Sequence, residues 1–184
     1  YLMLDFGYVA RSRGAYPDDL DQRIEDFAET VIKALSEPWD EVLLVGHSWG
    51  AGLAVSVLAR VGRQLRGAQR PAVSLLTLGQ TIPMVSVLPS ADSLRQDLRA
   101  VSQNPRVTWV DVSTPSDGCA FALCDPVAVS GVGSDRQIWP LIVSAAYGQT
   151  LSAQARKRLR WRFFKRHFQY LCAFDQPGDY DYFA

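Results

Sequence analysis

Cysteine, histidine and any excess of charge are scarce in this 184-residue sequence. Cys119, Cys124 and Cys172 are an odd number with no C-x-x-C spacing. That excludes a zinc ribbon and a disulfide framework and points to a reducing, cytoplasmic compartment, with a Cys119–Cys124 bridge left as an alternative. Nineteen basic side chains balance 19 acidic ones, a formal net charge of +0 that excludes a general nucleic-acid binder. Two histidines and no carboxylate cluster at ligand spacing argue against a catalytic metal. No uncharged apolar run approaches the roughly 18 residues that cross a bilayer, and the first residues lack the basic-then-apolar order of a secretion signal. Repeats and low-complexity tracts are absent as well.

What is present is ordinary for a folded domain: 48% apolar and 21% charged residues. At about 150 residues per domain, residues 1–184 make one domain with a real core. Apolar strands alternate with helical periods, the signature of an α/β fold with a mostly parallel sheet and flanking helices. Strands are expected at Tyr1–Phe6, Glu41–Val45, Ala72–Leu78 and Val107–Val112. Helices are expected at about Asp19–Ser36, from about Ala51 to Arg66, at Asp92–Ser102, and as one long segment from Ala153 to about Phe174. Residues 115–148, rich in Pro and Gly, read as loops with short helical pieces.

The sharpest local pattern is Gly46-His47-Ser48-Trp49-Gly50, a G-x-S-x-G that follows a buried strand and opens a helix. A serine on such a strained turn lifts its hydroxyl above the sheet. The strain brings strand and helix together, so Gly46 and Gly50 are both expected where almost no side chain fits. Neither G-x-G-x-x-G nor a Walker lysine is present to support the alternative, a phosphate-binding turn.

With this motif in this context the sequence resembles the α/β-hydrolase superfamily, in its esterase and lipase branch. The resemblance implies a serine hydrolase whose nucleophile, acid and histidine follow one another along the chain, cleaving a small-molecule carboxylic ester or thioester without a cofactor. Ser48 is then the nucleophile. His47 occupies the variable position of the motif and is expected to turn its ring away from the serine, in a structural role. His167 is left as the general base, on a stretch that looks helical where the family usually has a loop. The acid that orients it is expected after a later strand. Asp117, in the turn Ser113-Thr114-Pro115-Ser116-Asp117-Gly118, is the first choice; Asp125 is the rival, and Asp111, inside the strand, the third. The Trp49 N–H is one oxyanion donor. The family's other donor comes from a loop that precedes the nucleophile strand by more than this sequence contains. Tyr1–Phe6 therefore corresponds to the strand just before it, and the native polypeptide is expected to extend upstream of Tyr1 with the earlier strands. Two other readings stay open: a non-catalytic protein of the same fold that binds a partner, and an acyltransferase using the same three residues.

Residues 156–166 carry seven basic side chains interleaved with Leu159, Trp161, Phe163 and Phe164. A membrane-surface contact fits that composition, but the favoured reading is a solvated helix face. Its apolar stripe would join the core, and its charge would answer the acidic residues 18–29. Trp139, Trp161, Phe121 and Phe174 are likewise expected in the core, with the lining of an acyl pocket as the alternative.

Overall fold

A computed structural model describes residues 2–64 and 72–183, with side chains from residue 6 onward. Four strands, β1 (Glu41–His47), β2 (Ala72–Leu78), β3 (Val107–Ser113) and β4 (Leu141–Ser144), form one all-parallel sheet in the order β1-β2-β3-β4. The helices in chain order are α1 (Leu2–Arg11), α2 (Asp18–Ala34), α3 (Gly50–Gln64), α4 (Pro83–Ser86) and α5 (Asp92–Ser102), then α6 (Pro126–Val129), α7 (Tyr147–Thr150), α8 (Ala153–Leu159) and α9 (Phe163–His167). A 3-10 turn, Phe168–Leu171, follows α9 directly. The α/β class with flanking helices is thus observed.

Parallel pairing sets the two faces of the sheet. Leu44 stands opposite Leu75, and Thr77 opposite Asp111, so every second residue of each strand shares one side. On that side Val73, Leu75, Val107 and Trp109 are buried under Ile24, Ala28 and Val31 of α2, Val55 and Leu58 of α3, and Leu94 and Leu98 of α5. The other side is covered at one end only: Leu78 and Val112 pack with Tyr147, Leu151, Tyr170 and Tyr180 from the C-terminal segments. Farther down the strands Leu43, Val45 and Leu141 are exposed.

A buried arginine ties the three helices of the first side. Arg60 of α3 pairs with Asp21 and Glu25 of α2 and with Asp97 of α5, the last at 3.3 Å, and Arg63 reaches Asp97 from outside at 3.1 Å. The acidic face of α2 is therefore answered by α3.

Three expectations change. The apolar run at the N-terminus is a helix over Leu2–Arg11, not a strand; Tyr1 lies outside the described residues. Leu, Met and Ala favour a helix over a strand. Val9 seats it against the core, and the Gly14 N–H closes it on the Val9 carbonyl at 2.9 Å. A fourth strand, Leu141–Ser144, sits inside the region expected to be loops. The single helix expected over 153–174 is broken at residues 160–162, where Arg162 leaves the helical region (φ −106°, ψ 67°). The Arg166 guanidinium donates to the carbonyls of Leu159 and Arg160, which the break frees. The expected end of α3 at Arg66 lies outside the described residues.

Candidate functional site

Ser48 stands in the turn between β1 and α3 with φ 57°, a left-handed backbone that side-chain-bearing residues rarely adopt. Two bonds hold it there: its N–H donates to the Leu78 carbonyl at the end of β2 (2.8 Å), and its carbonyl accepts from the Ala51 N–H (3.2 Å). Gly46 makes the turn possible. A Cβ at that position would lie 2.7 Å from the Gly50 carbonyl oxygen and 2.8 Å from both Ala51 Cα and Ala54 Cβ, so strand and helix start touch where a side chain would be. Gly50 differs from expectation, because a Cβ there would meet nothing within 4 Å. The tight approach is one-sided: Gly46 on the strand faces the helix start, whereas Gly50 faces open space.

Asp117 lies four residues beyond the end of β3 and is buried, as is His167, the last residue of α9. His167 Nδ1 and Asp117 Oδ2 are 2.7 Å apart, and a carboxylate accepts only, so Nδ1 carries the proton. The other carboxylate oxygen accepts from the Cys119 N–H at 3.0 Å. His167 Nε2 is buried and without a hydrogen-bond partner, and so is not bonded to the Ser48 hydroxyl. The ring lies over Gly79, the residue after β2, where a Cβ would stand 3.3 Å from His167 Cε1 and 2.6 Å from Tyr170 Cε2. Gly79 (φ 52°) thus leaves the space that lets both rings approach the strand ends.

Three partners complete the site, of which Tyr170 and Gly79 were not singled out from sequence. Tyr170, three residues after His167 and so on the same side of the helical turn, donates its hydroxyl to Asp117 Oδ2 (3.1 Å) while accepting from the Thr114 N–H (3.2 Å). Burial and then the Asp117 charge hold its phenol far above the ordinary value, so it stays a donor. His47 does have a structural role. Its Nε2 lies 2.9 Å from the His167 carbonyl oxygen and its ring centroid 4.6 Å from the His167 ring. Burial pushes its pKa down, which keeps the ring neutral and able to donate to that carbonyl. Gly79 is the third; a glycine directly after a buried strand was its only sequence signal.

The rival acids are engaged elsewhere. Asp125 caps α6, its Oδ1 accepting from the Val127 and Ala128 N–H groups, and its Oδ2 accepts from Gln137 at 2.7 Å. Asp111 is buried beneath the strand ends, where Oδ1 accepts from the Thr77 hydroxyl (2.6 Å) and Oδ2 has no partner. Burial raises its carboxyl to about 7, against the help of the Thr77 hydrogen bond and with a smaller push from the Asp125 charge.

Asp117, Cys119 and His167 bring a carboxylate oxygen, a thiol sulfur and a ring nitrogen within 4.8 Å of one another, a grouping that local spacing in the sequence does not reveal. Burial and the Asp117 charge raise the Cys119 thiol, which disfavours the thiolate a metal would need. All three cysteines are free, so the Cys119–Cys124 bridge is not formed.

An apolar recess opens beside Trp49, lined by Tyr16, Leu53, Ile82, Val85 and Leu94. Thr81 contributes the one buried hydroxyl there without a partner. None of Trp139, Trp161, Phe121 and Phe174 lines it. Trp139 and Phe174 pack at the edges of the two cores, whereas Trp161 and Phe121 are exposed, contrary to expectation.

No protein-family profile, curated protein or solved structure matches the chain. No helix of the described residues is long and apolar enough to cross a membrane.

Proposed function

We propose that the chain is a serine hydrolase of the α/β-hydrolase type that cleaves a carboxylic ester or thioester through an acyl-enzyme. One observation carries this reading: a buried histidine whose Nδ1 is tied to a buried carboxylate at 2.7 Å, while its Nε2 is left without a partner. A histidine serving packing alone has no reason to keep a buried nitrogen unpaired, because such a group costs about 1–3 kcal/mol. The left-handed Ser48 on the neighbouring strand end supports it, as does the chain order of Ser48 after β1, Asp117 after β3 and His167 after β4.

In this mechanism the Ser48 Oγ attacks the acyl carbonyl and its proton passes to His167 Nε2. Asp117 holds the Nδ1–H and stabilises the imidazolium. The tetrahedral oxyanion accepts from the Trp49 N–H. As the carbon–oxygen or carbon–sulfur bond breaks, the leaving group takes the proton from Nε2, and water, activated the same way, releases the acid. Apo serine–histidine pairs often close only around substrate, so the open Nε2 is compatible with this cycle. It is also the observation that favours the second reading, a binding protein of the same fold.

Labelling with a fluorophosphonate probe decides between them. Wild type is expected to label, Ser48→Ala not at all, and His167→Ala and Asp117→Asn about 10³–10⁴-fold more slowly. Asp125→Asn is expected to label at close to the wild-type rate. An unlabelled wild type, or a Ser48→Ala variant that labels fully, removes the catalytic reading.

A further inference from the structure

We infer that residues 156–168 form a docking surface for an anionic phospholipid membrane. Sequence favours a helix face whose apolar stripe joins the core and whose cations pair with α2; Leu159 does pack on the core, but the aromatic residues of the stripe do not join it and the cations form no ion pair with α2. Trp161 is 75% exposed, Phe163 54%, Phe164 47% and Phe168 45%, so four large aromatic side chains of one short stretch reach the surface. Arg156, Lys157, Arg158, Arg160, Arg162 and Lys165 are exposed around them. Among the described residues no Lys or Arg of this stretch forms an ion pair, and Asp21, Glu25 and Asp26 of α2 pair with Arg60 and Arg23 instead. From Ala153 to Phe174 the sequence holds no acidic residue.

Arg156 is held on the Gly148 and Leu151 carbonyls, but large rings beside cations without an ion-pair partner match the membrane–water boundary. There aromatic bodies bury among acyl chains while ammonium and guanidinium groups remain at the level of the phosphates. Bases of a single-stranded nucleic acid also stack on aromatic rings. Here, however, Phe164 and Phe168 are already stacked on each other (centroids 6.1 Å, planes 20°), and the Arg160 guanidinium covers the Trp161 ring at 5.2 Å. The result is an apolar plate with a cationic rim. Phe168 also rests on the His47 ring (centroids 4.7 Å), so the plate borders the end of the sheet that carries Ser48 and His167. Docking would bring that end to the lipid surface whether or not Ser48 is a nucleophile.

Co-sedimentation of the whole chain with vesicles tests this. Vesicles of phosphatidylcholine with phosphatidylserine are expected to bind it, and pure phosphatidylcholine vesicles at least about tenfold less, with binding falling as salt rises. Lys157→Glu/Arg162→Glu/Lys165→Glu is expected to lower binding about 10²-fold and Trp161→Ser/Phe163→Ser about tenfold, both with unchanged far-ultraviolet circular dichroism. Ser48→Ala should bind as wild type, which separates this result from the hydrolase reading. Equal sedimentation of the charge-reversed variant overturns the assignment. So does retention of a single-stranded oligonucleotide through the same residues while both vesicles stay unbound.

Discussion

A methyl group on Gly46 would press on three atoms at 2.7–2.8 Å, two of them backbone; one on Gly50 would stand in open space. Gly46→Ala is therefore expected to destabilise the fold by about 3 kcal/mol, because strand and helix start must separate to admit it. Gly50→Ala should stay within about 0.5 kcal/mol of wild type. Urea denaturation of the two variants checks the difference, and a comparable loss at both positions would contradict the one-sided turn. The pattern around Ser48 was legible because backbone strain leaves a local mark in the sequence. Asp117 could be ranked ahead of Asp125 only by its turn and its strand. What separates them in space is that Asp125 spends both oxygens on α6 and Gln137, a commitment made by residues as far as twelve positions away. Tyr170 left no such mark, and His47 only its place in the motif, since their partners are set only once the C-terminal segment lies over Gly79.

At the scale of elements, α2, α3 and α5 meet at one guanidinium. Removing it leaves the buried Asp97 with the exposed Arg63 alone and strips Asp21 and Glu25 of their shared cation, so Arg60→Ala is expected to cost about 3 kcal/mol. Arg60→Lys should recover part of that, one ammonium being unable to span three carboxylates on two helices. Chemical denaturation of both variants measures it, and near-equal losses would show that the fork geometry does not matter. The elements themselves were readable where burial repeats regularly: β2 and α5 fall at the expected limits because their neighbours cover them along their whole length. Periodicity failed where tertiary contacts overrode it. The run from Leu2 is apolar enough for a strand but pairs with nothing in the sheet. The 153–174 period is helical throughout, yet the chain turns at 160–162, where the Arg166 guanidinium takes the carbonyls of Leu159 and Arg160. β4 has four residues on the edge of the sheet, too few for alternation to show.

For the molecule as a whole, Asp111 couples stability to pH. Its carboxyl rises from an ordinary 3.8 to about 7 on burial, so the folded state holds a proton that the unfolded chain releases. Below about pH 4 both states are protonated and the group is neutral in effect. Stability then falls as pH rises from about 4 to about 7 and levels off above, by an amount on the order of a few kcal/mol. Asp111→Asn is expected to abolish that decline, and thermal melts at pH 5 and pH 8 measure it; a variant no more stable than wild type at pH 8 would rule out a neutral Asp111. The side of the sheet that ends in Leu43, Val45 and Leu141 has a different whole-molecule effect. All-parallel sheets are usually sheathed on both sides, and here part of one side is wet in the native state. Water already ordered on those side chains is not newly ordered on unfolding. Those three side chains therefore lower the heat-capacity increment by on the order of 0.1 kcal/mol/K, a small change against the usual ~12–15 cal/mol/K per residue.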